Sequence, residues 1–248
     1  SLDKVPPEVI REARSAYYGL ITQIDYNMGR VFAALQDLNL FNDTLIIYTS
    51  DHGEFLGDHN TGGKVFFHES SAHVPYVMRL PKSWGNRMHG TTVDIPVTHA
   101  DILPTLLTAA GGTVPEHVDG MDLIALARGE ISNPRKYVEA MANDDPSFFA
   151  ITDGVWKYIW YPEGGDEQLF NLKDDPHELT NLAFDKKYVE KCLKLHGELV
   201  ERDKARGGQF SRDGRLLTTP RREDTEQDRR NTSWPGFHTE HYEVDVRH

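Results

Sequence analysis

A single cysteine, Cys192, stands in 248 residues, so no disulfide can close within the chain and no zinc knuckle can be built from cysteines. Positive charge is scarce as well: 27 Lys and Arg face 39 Asp and Glu, for a net charge of -12. That balance argues against nucleic acid or an anionic membrane as the main partner, and an anionic small molecule would need locally placed cations. No apolar run approaches the roughly 20 residues of a membrane helix, and no basic and apolar leader opens the sequence. With Ser1 in first place, the native chain is expected to begin further upstream. No internal repeat is visible. Apolar residues still make up 38% of the chain, enough to bury a core in one large domain or two small ones.

Periodicity then divides the chain. Pro6 and Pro7 suit a first helical turn, and Val9, Ile10, Ala13, Ala16, Tyr17, Leu20, Ile24, Met28, Val31, Phe32 and Leu35 follow at steps of three and four, which predicts a long amphipathic helix. After a break at Asn39–Asp43, the nearly continuous apolar, β-branched run Thr44–Thr49 predicts a central strand buried on both faces. Helix followed by buried strand marks an α/β unit with a mostly parallel central sheet flanked by helices, in which ligands gather beyond the C-terminal strand ends. Val74–Leu80 predicts another strand, Val93–Val97 a short one restricted by Pro96 to an edge or strand end, and His99–Ala110 a helix stopped by Gly111 and Gly112.

Beyond Pro134 the pattern changes. Tyr137–Met141, Phe148–Thr152, Val155–Tyr161 and Gln168–Leu172 read as short strands separated by turns such as Asp153-Gly154, predicting a small antiparallel sheet. A helix over Lys186–Arg202 would cover one face with Tyr188, Val189, Cys192, Leu195 and Leu199. The domains expected are therefore 1–134 (α/β core), 135–205 (antiparallel sheet plus helix) and 206–248 (polar, extended tail whose Trp234, Pro235, Phe237 and Tyr242 could dock again).

Chemistry concentrates in SDHGEFLGDHNTGGKVFFHESSAHVP, where Asp51, His52, Glu54, Asp58, His59, Lys64, His68, Glu69 and His73 crowd one strand-end loop and its sequel. Asp51 and His52 can offer a carboxylate oxygen and an imidazole nitrogen to one cation, while Gly53 lets the chain turn away. Two ligands make a weak site, so further carboxylates from another segment are required. Lys64 could offset the charge of a bound oxyanion. An isolated Asp-His pair reads as ordinary loop polarity. Here it follows directly on a buried strand, where open α/β sheets keep their ligands.

These residues carry a resemblance. YYGLITQIDYNMGRVFAAL, NDTLIIYTSDHGEFLGDH, GKVFFHESSAHVPYVMRLP and VTHADILPTLLTAAG are similar, in that order, to the C-terminal half of the sulfatase family within the alkaline-phosphatase-like superfamily. VDGMDLIALARG and VWKYIWYPEGGDEQLFNLKDDPHELTNLA resemble its later blocks, so the similarity covers residues 8 to 200 or so. The resemblance implies that Asp51 and His52 are metal ligands, for one divalent ion that in such sulfatases is usually calcium. It implies that Lys64 contacts the sulfate group near the leaving oxygen, and it offers His59, in a Gly-x-His pattern, as a substrate-side residue. Glu69 and His73 are expected to fix the loop by hydrogen bonds. His68 and His99 read as satisfied loop or helix-start histidines, and Cys192 as a small buried apolar residue.

The family's nucleophile is a formylglycine made in a C-x-P-S-R or C-x-A-x-R setting, and neither pattern occurs; Cys192 lies in KCLKLHG. The expectation is therefore the C-terminal part of a metal-dependent sulfuric ester hydrolase, inactive alone, whose N-terminal part supplies the nucleophile and remaining ligands. Its substrate would be a sulfate ester of a small molecule or glycan. A phosphonate monoester or phosphodiester hydrolase of the same superfamily is the alternative, and a non-catalytic binding module a further one. Bacterial cytoplasm or periplasm is favoured over a secreted or lysosomal location.

Overall fold

The computed structural model describes residues 2, 5–64, 66–85, 88–132, 134–142 and 148–221. In chain order the elements are α1 (Pro7–Asp37), β1 (Ile46–Thr49), α2 (Glu69–Ala72), β2 (Tyr76–Arg79), α3 (Ile102–Ala109), α4 (Leu123–Ala127), β3 (Val138–Met141), β4 (Phe149–Thr152), β5 (Trp156–Tyr161), β6 (Asp166–Asn171), α5 (Val189–Ala205), β7 (Ser211–Arg212) and β8 (Arg215–Leu216). The chain divides into two compact units. One holds the described residues from 5 to 52 and from 74 to 134; the other holds Leu2 and the described residues from 53 to 73 and from 135 onward.

The first unit opens on α1, 31 residues long, with proline in its first turn as its sequence requires. None of its residues is buried: Val9, Leu20, Ile24 and Val31 stay 47 to 58% exposed. The apolar stripe that the periodicity predicts is present, with Ile10, Tyr17, Met28, Phe32 and Leu35 half-buried and the rest exposed. The helix ends where Asn39 takes a left-handed φ of 58°, and Arg79 then clasps the following turn, donating from Nη1 to the Phe41 carbonyl at 2.6 Å with its guanidinium 3.9 Å over the Phe41 ring. β1 pairs with β2 antiparallel, from Ile46 opposite Arg79 to Thr49 opposite Tyr76. This departs from the expected parallel sheet: among the described residues every named strand pairs antiparallel. An apolar β-branched run states burial and not neighbour direction, which the chain trace decides. Nor is β1 buried on both faces, since Ile46, Ile47 and Thr49 are half-buried and Tyr48 exposed. Val93–Val97 forms no strand; Pro96 denies it a ladder donor.

Ahead of α3, a short 3-10 turn over His99–Asp101 is closed by a capping box between Thr98 and Asp101. Asp101 is fully buried and also accepts from the Met121 N–H at 2.7 Å, which ties the segment before α4 to the start of α3. Gly120 allows this closeness, because a Cβ there would lie 2.0 Å from the Ala100 carbonyl oxygen.

In the second unit β3 to β6 form a four-stranded antiparallel meander, as the alternating runs predict. Alternation sorts its two faces. Ile151, Tyr158 and Leu169 pack with Cys192, Leu195, Leu199 and Val200 of α5, whereas Ala150, Ile159, Tyr161 and Phe170 pack with Phe55 and Phe66 from the Gly53–His73 segment. Cys192 is buried, and burial pushes its thiol up to about 11, in keeping with an apolar role. Val189, expected inward, is 45% exposed, because it begins α5 after a 3-10 turn over Lys186–Tyr188. Residues 206–221 are no loose tail start: β7 and β8 form a hairpin, Leu216 is buried, and Arg221 pairs with both carboxylate oxygens of Asp166 at 2.7 and 2.8 Å. Residues 222–248, with Trp234, Pro235, Phe237 and Tyr242, lie outside the described residues. No described helix is long and apolar enough to cross a membrane.

Candidate active-site segments

Asp51 and His52 stand immediately after β1, at the strand end where the sequence locates them. The Asp51 Oδ1 accepts from the His52 N–H at 2.9 Å and from the Ser50 hydroxyl at 3.3 Å, and Oδ2 lies 3.3 Å from the His52 Nε2. The His52 N–H above all, with the His52 ring and the Ser50 hydroxyl, holds the Asp51 carboxyl below its ordinary range and so favours the anion a metal ligand must be. Its side chain is 82% exposed. The preceding residue is anchored, since the Ser50 carbonyl lies 2.7 Å from the His99 Nε2. His99 is thus a fastener of this turn, a role its place at a helix start did not reveal.

His59 and Lys64 belong to the other unit, in the segment that begins at Gly53. The Gly53 N–H donates to the Ser71 carbonyl at 2.7 Å, and a Cβ on Gly53 would lie 2.1 Å from the Ser70 carbonyl oxygen, so only glycine fits this approach. Phe55 donates its N–H to the Gly63 carbonyl at 3.0 Å, and the Glu54 carboxylate accepts the Gly63 N–H in return. Lys64 follows directly on that clasp. His59, at a left-handed φ of 50°, sits with its ring centroid 4.7 Å from that of His68. Both line a small cavity together with Phe55, Thr61, Phe66, Gln168, Phe170, Glu178, Leu179 and Asn181. Burial lowers both imidazoles, His68 well below its usual value, so both are neutral at pH 7.

Glu69 and His73 meet as expected of loop-fixing residues, 2.6 Å apart. Burial pushes the Glu69 carboxyl up, but the His73 hydrogen bond and the Lys157 ammonium outweigh it and hold the carboxyl down at about 2. The same contact with Glu69 raises His73. The sequence reading missed the rest of this cluster. Lys157, 1% exposed on β5, reaches Glu69 at 2.6 Å and Glu178, itself 1% exposed, at 2.8 Å. A signal existed: a lysine amid the aromatics of WKYIWY, on the face shared by Ile159 and Tyr161, must find anions if the strand is buried.

Among the described residues no group of three or more His, Cys, Asp or Glu side chains gathers to hold a metal ion. Asp51 and His52 nonetheless form a chemically suitable pair, an oxygen and a nitrogen donor on adjacent residues.

The α/β chain has solved neighbours among sulfatases and phosphonate monoester hydrolases: phosphonate monoester hydrolase of Agrobacterium radiobacter (TM-score 0.67, 31% identity, 84% of this chain and 45% of that one) and a 2-O GAG sulfatase (TM-score 0.72, 26% identity, 87% and 48%). Residues 3–112 match the Sulfatase family model, and the chain belongs to that family, as a counterpart of its C-terminal portion. An arylsulfatase of Clostridium perfringens is 34% identical over 212 residues, which is 85% of this chain and 44% of the relative. The chain thus spans less than half the length of the curated relatives it matches.

Proposed function

We propose that this chain contributes the Asp51, His52 and Lys64 part of the active site of a metal-dependent sulfuric ester hydrolase. The observation that carries the reading is the Asp51 carboxylate 3.3 Å from the His52 ring nitrogen just past the end of β1, within a sulfatase-family sequence. Asp51 and His52 would hold a divalent cation, calcium on the family resemblance, which when bound would draw electron density from the ester oxygens. Lys64 would face the oxygen that leaves. Displacement at a tetrahedral oxyanion concentrates negative charge on peripheral and leaving oxygens, so a fixed ammonium there lowers the barrier. His59, neutral and walled by Phe55 and His68, would act towards substrate only as an uncharged hydrogen-bonding group.

The nucleophile, formylglycine by resemblance, and the remaining metal ligands would come from an N-terminal part of the same protein, about as long again as this chain in its relatives. The exposed apolar residues of α1, Val9, Leu20, Ile24 and Val31, support such a partner. The substrate would be the sulfate ester of a small alcohol or glycan. A second reading, phosphonate monoester hydrolysis, is favoured by the 31% identity to the Agrobacterium radiobacter enzyme. Steady-state kinetics of the full-length protein on an aryl sulfate and an aryl phosphonate tests both. A higher kcat/KM for the sulfate supports the first reading and a higher value for the phosphonate the second. Activity on neither, with calcium supplied, leaves the non-catalytic binding module.

A further inference from the structure

Lys157 and Glu178 are buried, with Glu69 half-buried between them, where the Gly53–His73 segment meets the four-stranded sheet, and the chemistry described above uses none of the three. We propose that Lys157, acting through Glu69 and Glu178, is a positioning residue for the loop that carries Lys64. This rests on the reading of Lys64 as the substrate-facing cation. Lys157 lies on β5 with Ile159 and Tyr161, on the face covered by Phe55 and Phe66, and its Nζ also sits 5.3 Å from the Phe67 ring centroid. It holds one Glu69 carboxylate oxygen at 2.6 Å and one Glu178 oxygen at 2.8 Å. The other Glu178 oxygen accepts the Glu69 N–H at 2.6 Å. Glu69 is therefore gripped twice, by side chain and by backbone, from two places on the sheet subdomain.

Glu69 opens α2, and the grip passes on through named bonds. Ser71 of α2 accepts the Gly53 N–H at 2.7 Å, and the Ser70 hydroxyl donates to Asp58 at 3.0 Å. Next to Gly53, Glu54 and Phe55 clasp Gly63, the residue before Lys64. Both ends of the Lys64 loop are thus referred to one buried ammonium. Apolar packing alone would hold the segment against the sheet, since Phe55 and Phe66 are 1% and 3% exposed. Packing leaves sliding freedom that the directional Lys157–Glu69 hydrogen bond and the Glu69 N–H to Glu178 bond remove, and a buried charge is stable only in the register that pairs it.

The test compares three variants of the full-length protein. Lys157→Met keeps the volume and removes the charge, Glu178→Gln keeps an acceptor for the Glu69 N–H, and Leu195→Ala loosens the opposite face of the same sheet. Hydrogen exchange over residues 53–64 and kcat on p-nitrophenyl sulfate are followed, with Tm for each variant. Expected in Lys157→Met are amide exchange at least about tenfold faster over that segment and kcat lowered at least about tenfold with KM nearly unchanged. Glu178→Gln should shift both in the same direction by less, and it serves as the probe should Lys157→Met not fold. Leu195→Ala should lower Tm without either change. Equal exchange and kcat in the charge variants and Leu195→Ala at matched loss of Tm would overturn the proposal and leave Lys157 an ordinary core contact. If the wild-type protein hydrolyses no sulfate ester, the sulfatase reading fails, while the exchange result still decides whether Lys157 fixes the loop.

Discussion

Residues decide the electrostatics of the candidate site, and Lys64 carries the sharpest prediction. If its ammonium meets charge that grows on the leaving oxygen, Lys64→Ala in the full-length protein should lower kcat/KM on an aryl sulfate by at least tenfold, about 1.4 kcal/mol. An unchanged value would remove Lys64 from the site. The Glu69–His73 pair makes a different claim, about pH. His73 is raised above 6.5 in the folded chain, so its contribution to stability is complete below pH 6.5 and fades as pH rises through the folded value. Glu69 is held at about 2 against an ordinary 4.5, so its contribution is complete above pH 4.5 and fades as pH falls towards 2. Urea unfolding at about pH 5.5 and about pH 8.5 should therefore show the wild type losing more stability than His73→Gln over that interval. The difference will be small, since the His73 side chain is 74% exposed and solvent screens the pair. Equal losses in the two proteins would mean that His73 is not coupled to Glu69 in solution. At this scale the sequence was informative about types and blind to partners. An Asp-His pair after a strand is visible in a row of letters, whereas Lys157 and Glu178, 21 residues apart, become a pair only once two strands and a turn have folded between them.

Elements were legible where local physics sets them. The period of α1, the alternation of β3 to β6 and the Asp153-Gly154 turn, where Asp153 accepts from Val155 and Trp156, follow from short-range pattern and turn chemistry. Strand direction did not, because β1 carries the same apolar run whichever way its neighbour travels. The hairpin over Ser211–Leu216 was hidden by polar composition, although Asp213-Gly214 with φ of 51° and 77° is a turn signal. α5 is where packing can be tested most directly. Leu195 is 1% exposed between Cys192, Leu199 and the sheet, so Leu195→Ala should cost about 2 to 5 kcal/mol. Chemical denaturation would show it as a lower midpoint with an unchanged slope. A cost under about 0.5 kcal/mol, typical of a surface site, would mean that α5 does not close this core.

At the scale of the whole molecule the two units differ in how well they close. The second buries two apolar clusters, one on each face of its sheet. The first leaves Leu20, Ile24 and Val31 of α1 between 51% and 58% exposed, a stripe that water would not stabilise and that a sulfatase-length protein has chain enough to cover. If a further part of the protein packs there, a charge placed on the stripe must enter a core. Ile24→Asp in the full-length protein should then cost several kcal/mol, on the scale of burying an unpaired carboxylate, and raise the pKa of that carboxyl. If the stripe faces solvent in the native protein, the same substitution should stay within about 0.5 kcal/mol. The measurement is the denaturation midpoint at neutral and at acid pH. A variant that regains stability relative to wild type as its new carboxyl is protonated places α1 inside a larger core, whereas pH-independent neutrality places it on the surface. The second result would remove the packing argument for the proposed N-terminal partner and leave that proposal resting on the family resemblance and on the greater length of the relatives.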